Sequence, residues 1–269
     1  MLGSACMRTF GAQAVGRDLD DFDLADREPT LRVITELRPR LIVNCAAATD
    51  VDRCELDHEY ADRGNTLAAG NVAEAAVHVG ARLVHISTCF VFSGDKGDPY
   101  HETDATGPVN YYGQSKLAGE QAIVAALPDA LIARTSWLYG HGDAHFPGKV
   151  LQWAAGGGPL RMVTDRMGSP TYAEDLAVCL QQLADRDAAG LFHLGGTGCA
   201  TRFEWARETL SLAGVDVQVL PASSVDFPLP AERPVETCLD CSKAAALGVR
   251  LPPWQDGLAR FVGSLRTPC

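Results

Sequence analysis

The chain alternates short, uninterrupted aliphatic runs with longer stretches in which apolar positions recur at helical spacing. Leu41-Ile42-Val43-Asn44-Cys45, Leu83-Val84-His85-Ile86-Ser87, Leu131-Ile132-Ala133-Arg134-Thr135 and Leu191-Phe192-His193-Leu194 lack strict apolar/polar alternation. Strands covered on both faces have that pattern. Between them, segments near 29–37, 57–79 and 108–126 read as helices. Pro29 and Pro108 suit first-turn positions, and Pro39 and Pro128 suit stops. Strands separated by helices predict parallel βαβ units: an α/β chain with a Rossmann-type parallel sheet flanked by helices. A helix beginning near Leu2 and a short strand over Ala14–Arg17 complete the first part.

Past about Phe146 the rhythm loosens. Gly156-Gly157-Gly158-Pro159 and the Pro-rich stretch from Pro221 to Pro234 mark loops. The expected division is a dinucleotide-binding core over 1–145, without a first strand, to which 172–196 returns. A smaller C-terminal substrate-binding lobe takes 146–171 and 197–269. At 269 residues the chain can bury one large core and a smaller lobe.

Composition narrows the function classes. Apolar residues make up 46% and charged residues 21%, as in ordinary globular proteins. A net charge of −11 argues against nucleic acid as a partner and leaves room for a small anionic ligand. No run approaches the roughly 20 apolar residues of a membrane helix, and the first residues lack the marks of a signal peptide. Nine scattered cysteines predict reduced thiols and a cytoplasmic setting. The lone Cys238-x-x-Cys241 has no second pair, so neither a metal nor a redox role is assigned to it. His141 and His145 are interrupted by Gly142, and no metal site is predicted. Oligomeric state stays open, with a homodimer among the options.

Candidate chemistry falls in chain order. Ser87-Thr88 ends a predicted buried strand, Tyr112 and Lys116 share one face of a helix, and Trp137 follows the next strand. In open parallel sheets, ligands sit at the carboxyl ends of strands, which places Thr88 and Trp137 on that rim. Carbonyl reduction needs a hydride at carbon and a proton at oxygen. A phenol with a pKa of about 10 is a poor acid–base group at neutral pH. A neighbouring ammonium favours the phenolate, so Lys116 is the expected partner of Tyr112. Lys116 could also bond a nicotinamide ribose, and the Thr88 hydroxyl could donate to a developing oxyanion. The small residues after Asn44, including Ala46 and Ala47, let a flat cofactor approach the backbone. Asp18, at the end of the short strand, stands where an acid holds an adenosine ribose. It equally fits a solvated turn beside Asp20 and Asp21. Arg17 could instead meet a 2′-phosphate, so NADH and NADPH both stay open.

The segments Asn44-Cys45-Ala46-Ala47, Ser87-Thr88-Cys89-Phe90-Val91-Phe92, Glu102-Thr103-Asp104, Tyr112 through Glu120 and Arg134-Thr135-Ser136-Trp137-Leu138-Tyr139 resemble those of dTDP-4-dehydrorhamnose reductases. So do Gly168-Ser169-Pro170-Thr171 and Arg233-Pro234. These proteins are extended short-chain dehydrogenase/reductases, and the likeness runs in order over nearly the whole chain. It implies NAD(P)H-dependent reduction of the 4-keto group of a dTDP-linked 6-deoxy sugar, in nucleotide-sugar biosynthesis. By the same resemblance Tyr112 is the general acid, Lys116 its partner and ribose ligand, and Thr88 the hydroxyl at the carbonyl. Ala46, Ala47 and Thr49 line the cofactor, with Asp23 and Leu24. Leu2 and Gly3 belong to the phosphate turn, and Trp137 contacts the sugar. A second reading is a non-catalytic NAD(P)-binding regulatory subunit, like that of methionine adenosyltransferase, which resembles these reductases.

Two departures stand out. Cys89 occupies a position where the family usually carries aspartate, and Phe90 one where tyrosine is usual, so a carboxylate contact with the sugar is replaced by a weakly bonding thiol. Family members also begin with an aliphatic strand and a glycine-rich turn, of which only Leu2-Gly3 is present. The resemblance implies a gene product that starts upstream of Met1.

Overall fold

A computed structural model describes residues 1–142 and 145–265. The thiol of Cys269 and the last residues of the expected C-terminal lobe lie outside the described residues. The aliphatic runs form a four-stranded parallel sheet in the order β1 (Leu41–Asn44), β2 (Arg82–Thr88), β3 (Leu131–Thr135) and β4 (Gly190–His193). The register sets Asn44 beside His85, Thr88 beside Thr135 and Arg134 beside His193.

Each strand feeds two apolar layers. On one face, Val84, Ile86, Leu131, Ala133 and Phe192 pack with helices α1 (Leu2–Phe10) and α5 (Ala173–Asp185). On the other, Leu83 and Ile132 pack with α3 (Ala68–Val79) and with Ile123 of α4 (Tyr111–Ala126). Burial of each large aliphatic side chain contributes about 1.5–3 kcal/mol, so strands with no polar face are held between the two helical layers. A further helix, α2 (Arg27–Leu37), carries Pro29 in its first turn and ends at Arg38 just before Pro39.

Two expectations are corrected, and a third gains a detail. The strand over Ala14–Arg17 does not form: Val15 to Arg17 are exposed, and the segment pairs with no strand among the described residues, with Val15 60% accessible. Backbone groups that find no neighbouring edge are satisfied by water instead. The helix expected over 57–79 forms over 58–79, with a π-turn at Asp62–Leu67 leading into α3, and a separate short helix, Val51–Leu56, precedes it. The Asn65 side chain accounts for the wide turn. It accepts from Ala48 N–H at 2.9 Å and donates to the Ala48 carbonyl at 3.1 Å and to Ser115 Oγ at 2.9 Å. Finally, α4 starts at Tyr111 rather than near Pro108, because the Asn110 side chain caps it by accepting from Gly113 N–H at 2.9 Å.

The C-terminal half adds short paired strands. Leu138–Tyr139 pairs with Thr171–Tyr172, Leu160–Val163 with Val219–Ala222, and Met167–Gly168 with both Ala200–Thr201 and Glu236–Thr237. Helix α6 (Arg202–Ala213) opens with a reciprocal capping box between Thr201 and Glu204. Tyr139, Tyr172, Trp205, Trp254 and Phe261 pack into one aromatic cluster. Cys199 and Cys238 form a disulfide with Cα atoms 5.9 Å apart, which corrects the expectation of reduced thiols at that pair. Their separation of 39 residues left no local signal, and Cys238 has Cys199, not Cys241, as its partner. No helix among the described residues is long and apolar enough to cross a membrane.

Candidate active site

Two elements converge at the carboxyl end of β2. The strand delivers Thr88, and the first turn of α4 delivers Tyr112. Their closeness depends on Gly113, where a Cβ would sit 2.2 Å from the Phe90 carbonyl oxygen. Any larger residue would push α4 off the turn that follows Thr88. Thr88 Oγ1 accepts from Phe90 N–H at 3.2 Å, and the hydroxyl lies near enough to the Tyr112 phenol to favour its ionised form. Phe90 meets the Tyr112 ring edge-on, with centroids 5.7 Å apart. Burial pushes the Tyr112 phenol well up from its ordinary value, and the Thr88 hydroxyl draws it part of the way back. At neutral pH the group is a protonated phenol.

Lys116 lies one turn on and is buried, with 2% of its surface accessible. Its Nζ donates to the Ile86 carbonyl at 2.8 Å and sits 3.3 Å from His85 Nε2. Contacts continue to the loop after β1. His85 Nδ1 lies 3.2 Å from Asn44 Nδ2, and Asn44 Oδ1 accepts from Ala46 N–H at 3.1 Å. Burial lowers the Lys116 pKa to about 8 against the opposing pull of Glu120 and Cys45. Burial, then Lys116, push His85 well below its usual range, so the imidazole is neutral. Tyr112 answers to Thr88, while Lys116 is directed at β2 and His85.

Beneath Lys116, Arg134 reaches across from β3 to Glu120 of α4 in a bidentate pair, with bonds of 2.9 and 2.6 Å, and Ser87 donates to the same carboxylate. Sequence reasoning missed the roles of His85, Asn65, Glu120 and Arg134. For His85 and Arg134 the signal was present, since each interrupts an otherwise aliphatic run. Glu120 and Asn65 read as ordinary helix polar residues.

The residues expected around a dinucleotide occupy several places. Ala46 and Thr49 are exposed and Ala47 is half-buried in the loop after β1. Leu2 and Gly3 open α1 beside that loop, with the position of a Gly3 Cβ 4.0 Å from Cys45 Cβ. The first N–H groups of a helix have no intrahelical acceptor, so this corner fits a phosphate. Asp23 accepts from Arg63 at 2.8 Å and from Ala25 N–H at 2.8 Å, while the Leu24 carbonyl accepts from Asn71 at 2.9 Å, tying that loop to the helices before and within α3. Asp18 lies apart, in an exposed turn where its carboxylate accepts from Leu19 N–H at 2.7 Å. Small side chains, free helix N–H groups and a buried lysine together fit a nicotinamide dinucleotide.

On the other side of Thr88, Trp137 has φ +44°, a left-handed conformation that is uncommon outside glycine. Its ring lies against Gly168, where a Cβ would be 2.4 Å away, and stacks near Trp205 with centroids 5.6 Å apart. Cys89 is buried, with the side chains of Ser136, Thr237 and Thr88 around its thiol. Burial pushes that thiol up, so it is neutral.

The model for the RmlD substrate binding domain matches residues 1–267. The chain belongs to this family. Within it, a dTDP-4-dehydrorhamnose reductase from Mycolicibacterium smegmatis is 41% identical over 90% of this chain and 76% of its own length. The spore coat polysaccharide biosynthesis protein SpsK of Bacillus subtilis is 30% identical, over 98% of this chain and 93% of its own length. Among solved structures, a dTDP-4-dehydrorhamnose reductase from Bacillus anthracis in complex with NADP superposes with a TM-score of 0.94 at 34% identity. That likeness covers 98% of this chain and 95% of the other. A second, from Clostridium acetobutylicum, gives 0.95 at 32% identity, over 99% of this chain and 96% of the other. Family membership extends over both the sheet and the C-terminal half, so the expected Rossmann-type fold of an extended short-chain dehydrogenase/reductase holds.

Proposed function

We propose that this chain reduces the 4-keto group of a dTDP-linked 6-deoxy sugar with NADPH or NADH, as a dTDP-4-dehydrorhamnose reductase does. The observation that carries the reading is the meeting of Thr88 and Tyr112 at the end of β2, with Lys116 buried behind them, in a chain 41% identical to a named reductase. The relatives named as reductases give no support to a regulatory subunit. The structure of the Bacillus anthracis relative holds NADP, which makes NADPH the first cofactor to try.

The bound dihydronicotinamide supplies the hydride. The chain's own residues do the rest. Thr88 and Tyr112 direct two hydroxyls at the carbonyl oxygen, and the raised pKa of Tyr112 keeps its proton available for the alkoxide. As that proton leaves, the Thr88 hydroxyl stabilises the phenolate, which takes a replacement proton from solvent. Lys116 and the Ala46–Asn44–His85 contacts hold the floor on which the ribose would rest. Ala47, Thr49, Asp23 and Leu24 would flank the dinucleotide, and Leu2 and Gly3 its phosphates. Residues 146–171 and 197–265 would close over the sugar, with Trp137 against it. A cytoplasmic setting supplies the reduced cofactor.

The test is oxidation of NADPH and of NADH by purified protein with dTDP-4-keto-6-deoxyhexoses. Stoichiometric conversion to the 4-hydroxy sugar is the expected result. Cofactor binding with no turnover on any 4-keto dTDP-sugar would overturn the assignment.

A further inference from the structure

Arg202 is a cation set among aromatic rings rather than against a carboxylate. Arg202 is the first residue of α6, and its Cζ lies 3.8 Å from the centroid of the Trp137 ring, 4.6 Å from Phe146 and 5.2 Å from Trp205. Arg134, Arg161, Arg233 and Arg260 each hold a carboxylate at 2.5–2.9 Å. Arg202 holds none among the described residues, in a chain with 34 acidic side chains. Burial lowers its pKa to about 9; the Cys89 thiol opposes that shift and the Arg233 guanidinium adds to it. Arg202 is half-buried, and a guanidinium partly withdrawn from water is completed well by an anionic ligand.

A second observation comes from the same aromatic box. Trp205 is 1% accessible, and its Nε1–H has no acceptor. An indole N–H without an acceptor and a guanidinium without a carboxylate among the described residues therefore lie in one aromatic cluster, with the ring of Trp137, and near Cys89, the neighbour of Thr88. Sugar hydroxyls could satisfy an indole N–H but leave a guanidinium uncompensated. The planar fork of arginine matches the oxygens of a phosphate in bidentate fashion. In a dTDP-linked 6-deoxy sugar the only anionic group is the diphosphate.

We propose that Arg202 is the residue that grips the diphosphate of the nucleotide sugar, held in place by the face of Trp137. The proposal rests on the reading of the chain as a nucleotide-sugar reductase. Arg233, already paired with Asp52 at 2.9 Å, contributes a second positive charge on that flank. Sequence reasoning could not find Arg202, because its lack of a carboxylate is a property of the packed pocket.

The experiment compares wild type with Arg202→Gln, which keeps a planar group against the rings, and Arg202→Lys, which keeps the charge. Binding of dTDP, of uncharged thymidine and of NADP⁺ is measured by calorimetry, and turnover by NADPH oxidation. Arg202→Gln is expected to weaken dTDP by about tenfold to a hundredfold, the usual size of a lost charged hydrogen bond, with thymidine and NADP⁺ unchanged. KM for the nucleotide sugar should rise by a similar factor while kcat stays close to wild type, and Arg202→Lys should recover part of the loss. Unchanged dTDP affinity in Arg202→Gln would overturn the proposal, as would equal weakening of dTDP and thymidine. A wild type that binds dTDP through Arg202 but reduces no 4-keto sugar would support the anion site and overturn the reductase reading. Reduction of a 4-keto dTDP-sugar with wild-type KM and kcat in Arg202→Gln would do the reverse.

Discussion

Tyr112 and Lys116 occupy the same helix face, yet their surroundings push them in opposite directions. Burial holds the proton on Tyr112, as an acid for reduction requires, and strips it from Lys116 as pH passes about 8. Tyr112→Phe should lower kcat by about 10²–10⁴-fold while NADPH affinity, measured by fluorescence titration, stays near wild type. Lys116 also carries a stability prediction. An unfolded lysine titrates near 10.4, so between about pH 8 and that value the unfolded chain binds a proton the folded one does not. The contribution of this group to stability therefore rises with pH through that window, and below it the buried ammonium is a cost. Relative to Lys116→Met, the wild-type melting temperature should climb between about pH 8 and 10. A difference between the two proteins that is flat with pH would show that Lys116 keeps an ordinary pKa.

Helix α4 is the element that assembles the site, and its sequence shows why it can. Asn110 caps it, Gly113 lets its first turn touch the Phe90 backbone, and Glu120 anchors its middle to β3 through Arg134. The pair is almost wholly buried, with side-chain accessibilities of 4% for Arg134 and 7% for Glu120. Removing one partner would leave a buried charge alone, which costs about 3–5 kcal/mol. Glu120→Ala should accordingly lower the unfolding free energy by that amount in urea denaturation, and Glu120→Gln by less. A loss below about 1 kcal/mol, the surface-pair range, would mean that water reaches Arg134. The start of α4 was read a turn too early because Pro108 fits a first turn as well as a lead-in loop. The decisive cap, Asn110, is legible only by its side-chain bond.

For the whole molecule, the sheet is graded in burial across its width. All five residues of β3 are buried and it has a partner on each side, whereas β1 pairs, among the described residues, only with β2 and three of its four residues are half-buried. Local opening follows contact and hydrogen-bond density, so hydrogen–deuterium exchange should be slowest in β3 and fastest, within the sheet, in β1. Equal protection of the two strands would indicate a neighbour on the free edge of β1. Membership of the RmlD substrate binding domain family over residues 1–267 agrees with this architecture, since the match spans the sheet and the C-terminal half alike.

The sequence by itself determined the layered sheet, because aliphatic runs of this length cannot be satisfied except between two apolar layers. It also placed Thr88 at a strand end and Tyr112 and Lys116 on one helix face, since both are local geometry. The tertiary structure alone decided what those groups experience. Whether Lys116 faces a phenol or a carbonyl depends on how α4 seats against β2, and contacts between distant segments fix that seating. The same holds for the Ala14–Arg17 segment, whose local pattern suits a strand but whose edges find no partner. Cys199 meeting Cys238, and Arg202 left without a carboxylate on the face of Trp137, are likewise facts of packing. A side chain's local sequence sets what it can bond, and only the assembled neighbours set what remains for it to bond.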